Sequence, residues 1–198
     1  MLLSGNTILL MGDGPVNIRP LPARAQTDKK LAPGGIASDA MLAFGGSVLV
    51  KIDASDAAAM RVVETLETEA RYVNARLTGT TARVVVTSGA PLGIQFAYAT
   101  EPGADKERAA LRANRTALSR TTADNWLPRF RVTSATGTTD PEPLAPCDTV
   151  SRPPRFSGLE TLTVMTIDLN RGLDPIDTDA VMASGENVYA SPQALYVA

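Results

Sequence analysis

MRVVETLETEARYVNARLTGTTARVVVTSGAP, residues 60–91, is the stretch whose reading decides the fold. In steps of two, Val73, Ala75 and Leu77 share one face, and Ala82, Val84 and Val86 share another, the period of half-buried strands. Between them lies Thr78-Gly79-Thr80-Thr81, with glycine where a tight hairpin needs positive φ. A two-residue Gly79-Thr80 turn sets Leu77 opposite Ala82, Ala75 opposite Val84 and Val73 opposite Val86. The expectation is an antiparallel pair over 71–77 and 82–88 with Ala75, Leu77, Val84 and Val86 buried. The same register sets Arg76 across from Arg83 on the polar face, where like charges repel. Glu67 and Glu69 offer compensation from an adjoining strand, and Val62 and Leu66 continue the sheet as a third strand.

Working outward, residues 1–14, MLLSGNTILLMGDG, read as a second hairpin, with Leu2-Leu3 and Ile8-Leu9-Leu10 around a Ser4-Gly5-Asn6 turn. The stretch has no basic start and its apolar run is broken, so it does not read as a signal peptide. A chain that begins inside a hairpin is expected to be a segment of a longer one. Residues 12–38 carry Pro15, Pro20, Pro22 and Pro33 and the pair Gly34-Gly35, and are read as a long loop. Met41-Leu42-Ala43-Phe44, a Gly45-Gly46 turn and Val48 to Ile52 form another strand-turn-strand unit, closed by the turn cluster Asp53-Ala54-Ser55-Asp56.

A weak repeat links these pieces. LLSGNTILL, LAFGGSVLV, LTGTTARVVV and MASGENVYAS each place a glycine turn between apolar runs, near Gly5, Gly45, Gly79 and Gly185. A spacing of roughly 35–45 residues fits propeller blades among the repeat architectures. The fold class expected is therefore all-β with a helical insertion: a partial β-propeller of roughly two to three blades of antiparallel strands. A β-sandwich would show similar strands without repeating the hairpin.

The helical insertion occupies 103–124. Residues 104–120 contain no proline or glycine and open with acids, which suits the positive helix start. Ala110, Leu111, Ala117 and Leu118 make an apolar stripe, and Arg108, Arg112, Arg115 and Arg120 a solvated face. The single Trp126, beside Leu127-Pro128, anchors the insertion to the core. A proline-rich loop covers 133–157. Leu159 to Leu169 then form a strand with apolar residues on both sides, as an inner strand requires, and Asn170-Arg171-Gly172 turns it. The chain closes on Leu195-Tyr196-Val197-Ala198, an apolar strand whose partner is expected outside these residues.

The pieces VVETLETEARYVNARLTGTTARVVV, DNWLPRF, PCDTVSRPPRFSGLETLTVMTIDL and SGENVYASPQALYVA, in this order, resemble bacterial secreted proteins with a C-terminal β-propeller domain. The resemblance runs from about Leu42 onward and implies a propeller over 1–198, export from the cell, a secreted or cell-envelope location and further blades. It supplies no catalytic residues.

Composition bounds the chemistry. With 19 Lys+Arg, 21 Asp+Glu and a net charge of −2, nothing calls for nucleic acid or an anionic membrane. No apolar run approaches a membrane-spanning length. Histidine is absent, which excludes Ser-His-Asp and Cys-His catalysis and histidine-bearing zinc sites built from this chain alone. A lone Cys147 forms no internal disulfide, and no phosphate-cradling GxxxxGK[ST] or GxGxxG occurs. Asp174, Asp177 and Asp179 in Asp-Pro-Ile-Asp-Thr-Asp supply oxygen ligands of the kind Ca²⁺ takes, but lack the glycine and distal glutamate of an EF-hand loop and read as turn residues. Glu67 and Glu69 are weighed as an acid–base pair for a glycan and read as a solvated face. Asn114-Arg115-Thr116 matches a glycosylation sequon inside the expected helix. No catalytic, cofactor or metal residue is assigned. The function expected is a non-catalytic binding or scaffold module for a protein or glycan ligand; the alternative is a propeller hydrolase working through carboxylates.

Overall fold

The computed structural model describes residues 1–16, 18, 44–89, 96–185, 187–191 and 194–197. The chain lays down β1 (Leu2–Ser4), β2 (Thr7–Val16), β3 (Phe44–Asp53) and β4 (Arg61–Thr68), then β5 (Arg71–Thr78) and β6 (Thr81–Gly89). Helix α1 (Ala104–Leu118) follows, then β7 (Arg129–Ser134), β8 (Gly137–Thr138), β9 (Glu142–Pro143) and β10 (Val150–Ser151). It ends with β11 (Glu160–Asp168), β12 (Asp177–Met182), β13 (Val188–Ala190) and β14 (Leu195–Val197). A seven-stranded sheet runs β1-β2-β3-β4-β7-β8, with β9 also on β7, and a five-stranded sheet runs β10-β12-β11-β6-β5. Every pairing is antiparallel except β10 with β12. β13 and β14 make a separate ribbon in which the Tyr189 and Tyr196 rings lie 6.2 Å apart.

The two large sheets pack face to face. Leu9, Leu49, Leu66 and Val132 of the first sheet meet Val84, Val86, Met165 and Ile167 of the second in one buried cluster. The strand order is interlaced: after β4 the chain crosses to the second sheet for β5 and β6, returns for β7, and crosses again for β11 and β12. A propeller read blade by blade would finish one sheet before starting the next. Val62 and Leu66 accordingly lie on β4 of the first sheet and do not extend the β5–β6 pair.

The deciding hairpin has the expected register at Leu77–Ala82, Ala75–Val84 and Arg76–Arg83. Gly79 has φ 62° while no described non-glycine residue has a positive φ, the pattern of a type II′ turn. Val73 departs from the expected register. It is bulged out between Tyr72 and Asn74, so Tyr72 faces Val86; a bulge of this kind twists a strand as it leaves a crossing. Ala75, Val84 and Val86 are buried and Leu77 is half-buried against the core. Val85, on the face expected to be polar, is buried as well.

The amino-terminal hairpin forms around Gly5 as expected. β2 continues through Gly12, Gly14 and Pro15 to Val16, so the stretch expected as loop over 12–38 begins as strand; residues 17 and 19–38 lie outside the described set, as do 41–43. Gly45-Gly46 is no turn, because β3 passes straight through it. A Cβ at Gly46 would overlap Val16 and the Thr68 carbonyl, so the second glycine serves close approach rather than reversal. Nor is Gly185 the centre of a hairpin, since β13 pairs with β14 and not with β12. The terminal strand therefore finds its partner inside the chain, contrary to expectation. Residues 133–157, expected as loop, contain the end of β7 and all of β8, β9 and β10. β11 is an inner strand between β12 and β6 as read from its two apolar faces.

Helix α1 has acids Asp105 and Glu107 in its first turn and buries no residue. Leu111 and Leu118 of the expected stripe are 51% and 36% exposed, so only its alanines lie on the contact face. Ala110, Asn114 and Ala117 are half-buried instead, and the Asn114 amide grips residue 97 in both directions: Oδ1 accepts from the Ala97 N–H at 2.7 Å and Nδ2 donates to its carbonyl at 2.9 Å. Trp126 is half-buried, its Nε1 donating to Thr121 Oγ1 at 3.0 Å and its carbonyl 3.5 Å from Thr161 Oγ1 of β11. That ties the insertion to the second sheet.

Leu66 is fully buried between the sheets. Leu66→Ala is expected to lower the unfolding free energy by about 2–5 kcal/mol, and Gly46→Ala by about 1–3 kcal/mol through overlap. Denaturant titration reads both; a Gly46→Ala midpoint equal to the parent's would contradict the close approach.

Candidate functional site

The polar groups concentrate in two places: where the chain crosses between the sheets, and in an open cleft at one end of the first sheet. At the crossing, Ser47 Oγ lies 2.8 Å from the Ala70 carbonyl and 2.9 Å from Asp13 Oδ1, with one hydroxyl proton to serve two acceptors. Asp13 Oδ1 also accepts from the Tyr72 N–H at 2.8 Å. Glu69, 3% exposed, accepts from the Arg129 N–H through Oε2 at 2.9 Å, while its own N–H donates to the Arg129 carbonyl at 3.0 Å. Asp13 thereby joins the first sheet to the second, and Glu69 holds the crossing against β7 of the first sheet.

Glu64 performs a similar task further along. Its Oε2 accepts from the Leu173 N–H at 2.8 Å and lies 3.8 Å from Lys51 Nζ, fixing the turn after β11 against β4. Glu67 pairs with Arg131 Nε at 2.5 Å across the β4–β7 ladder. Glu67 and Glu69 thus face different groups of β7, the Arg131 guanidinium and the Arg129 amide, rather than a common point as an acid–base pair would. Neither compensates Arg76 or Arg83, as the sequence led one to expect. Which carboxylate reaches which backbone amide depends on the interlaced crossings, and no local pattern announces it.

The cleft, about 380 Å³, is lined by Asn6, Lys51, Asp53, Arg61, Val62 and Val63 among others. Asp53 ends β3 and Arg61 opens β4, so the β3–β4 turn brings them together: Arg61 Nε and Nη2 donate to Asp53 Oδ2 at 3.1 and 2.9 Å. The other oxygen, Oδ1, accepts from the Ser55 N–H at 3.0 Å. The Ser55 amide and hydroxyl, with the Arg61 guanidinium after them, hold the Asp53 carboxyl down at about 2. Val62 beside them is 62% exposed. The cleft can hold a small group against an apolar wall, but Asp53 and Arg61 already neutralise each other and Lys51 lies 3.8 Å from Glu64.

Asp174 is exposed in the turn before β12, and Asp177 and Asp179 are exposed on β12 itself. Among the described residues no group of three His, Cys, Asp or Glu side chains is placed to hold a metal ion. Cys147 is exposed and free, and no described helix is long and apolar enough to cross a membrane.

The described residues are mostly β-strands in antiparallel sheets with a single long helix. The family model for the beta propeller domain matches residues 1–198, and the chain belongs to that family. No curated protein matches the chain, and no solved structure matches it.

Two outcomes are expected. A carboxyl with a lowered folded value contributes stability that is whole above its ordinary value, near 3.8, and is lost as the pH falls toward about 2. A carbon-detected titration of Asp53 should find its midpoint near about 2. In Arg61→Ala it should rise only part of the way, because the larger contribution from Ser55 remains. Separately, melting temperatures with and without EDTA should coincide; a large drop on chelation would make the 174–179 turn a calcium site.

Proposed function

We propose that this chain is a non-catalytic binding or scaffold propeller, secreted or held at a bacterial cell envelope, that takes a glycan or protein ligand. The observation that carries the reading is the employment of five of its 21 acidic side chains, the two weighed as a catalytic pair among them. Asp13, Asp53, Glu64, Glu67 and Glu69 each accept from a backbone amide or a basic side chain that fixes one element to another. A carboxylate hydrolase needs two such groups facing a common reacting atom, about 5–10 Å apart, and these five are directed at the protein's own backbone and side chains. Export and bacterial origin rest on the resemblance of the ordered segments from about Leu42 onward.

The outer face of the first sheet supports a scaffold role. Its register places Ile8 beside Ile52 and Val62, and Leu10 beside Val50. Leu10 is 39% exposed and Val62 62% exposed. An apolar sheet face of this kind suits a further blade, since blades bury such faces against one another.

Incubating the full chain with neutral and acidic polysaccharides and with peptides, and following both retention and product release, tests the reading. Retention without turnover is expected. Sustained hydrolysis that is lost in Glu67→Gln or Glu69→Gln would replace it with the carboxylate hydrolase.

A further inference from the structure

We propose that the second sheet carries a recognition row for an acidic polysaccharide, centred on Arg76 and Arg83. The three pairings β5–β6, β6–β11 and β11–β12 align Arg76, Arg83, Thr166 and Asp177 in one row across four strands. Directly opposed residues project from the same face, with strands about 4.8 Å apart, so the two guanidinium arms rise side by side. Arg76, Arg83 and Asp177 are exposed and Thr166 is half-buried.

The arginines are arranged to receive an anion rather than to pair internally. Arg76 Nη1 is turned back along its own strand onto Asn74 Oδ1 and the Ala75 carbonyl, which steadies the group and leaves its remaining N–H donors outward. Arg83 makes no hydrogen bond or ion pair among the described residues. Two like charges directly opposed across a ladder cost stability, and the acids nearest in sequence are committed to Arg131 and to the Arg129 amide. The row therefore sets two like charges side by side with no ion pair to either among the described residues; Asp177 closes the row two strands away and Asp168 lies diagonal to Arg83.

The rest of the row selects the ligand. Arginine forks take carboxylate and sulfate oxygens in pairs, while the Thr166 hydroxyl and the Asp177 carboxylate offer partners for sugar hydroxyls. No aromatic or aliphatic anchor interrupts the row, as a protein partner's central contact would need. A net charge of −2 lacks the broad positive field of a nucleic-acid surface. The inference rests on the binding-module reading and narrows its ligand to glycans bearing carboxylate or sulfate.

The test uses the full chain with polygalacturonate and dextran sulfate, with neutral dextran and polyglutamate as comparators, at fixed ionic strength. Polygalacturonate and dextran sulfate are expected to bind and raise the melting temperature. Arg83→Glu should weaken that binding by about tenfold or more, yet melt unliganded at or above the parent's temperature because the repulsion is relieved. Arg112→Glu with Arg115→Glu, on the exposed face of α1, should leave binding unchanged. Equal loss in the helix variant, undiminished binding in Arg83→Glu, or polyglutamate binding as well as the acidic glycans would each overturn the row as a glycan site. Neutral dextran bound equally by parent and Arg83→Glu would overturn the row while leaving the binding module intact. Failure of every glycan to bind would remove glycans from the broader reading too.

Discussion

The fold depends on what happens between Thr68 and Tyr72, where the chain leaves one sheet and enters the other. Five residues carry the backbone across, and their peptide groups would be stranded between two apolar faces without partners. Ser47 and Asp13 supply partners from the first sheet, the Thr68 hydroxyl accepts from the Ala70 N–H at 3.3 Å, and Glu69 and Arg129 exchange two bonds. Gly46 lets the strands close to the distance these bonds require. Burying Leu66 against Met165 and Ile167 is then a consequence of the crossing as much as a cause of it.

The acids follow the same logic. Interlaced sheets need more crossings than sequential ones, and each crossing exposes amides that no ladder satisfies. A carboxylate accepts strongly from an amide and can reach across a gap between sheets. Glu64 of β4 does so for Leu173 beyond β11, and Asp13 of β2 for Tyr72 of β5. A chain with 21 acidic residues and no histidine thus uses part of its negative charge as internal fastening, while a ladder sets the exposed Arg76 beside Arg83.

Local chemistry was legible in the sequence and connectivity was not. Period-two alternation and a glycine of positive φ placed the β5–β6 hairpin and most of its register, and acids before an Ala/Leu/Arg run placed α1. The misreadings share a cause. Gly45-Gly46 and Gly185 read as reversal points because glycine permits a turn, whereas Gly46 is required by the approach of Val16 and Thr68 from elsewhere in the chain. Val73 fell out of register because a bulge answers to the crossing upstream, not to its own side chain. The helix stripe reads as Ala110, Leu111, Ala117 and Leu118 because these are apolar; its alanines turn inward, but the contact face runs between them through Asn114, whose partner is a backbone unit 17 residues away. The candidate site was the least visible part: the carboxylate partners are set by long-range crossings, and only the opposition of Arg76 and Arg83 could be read directly from the hairpin.

Helix α1 buries none of its side chains and is held at Asn114 by one amide pair. Neither sheet has shaped itself around it. Over evolutionary time such an insertion can be lengthened, shortened or exchanged without opening a void in the core, so sequences descended from a common ancestor can diverge here in length and charge while their sheets stay alike. The tether then marks where the family can acquire new surface without redesigning its framework.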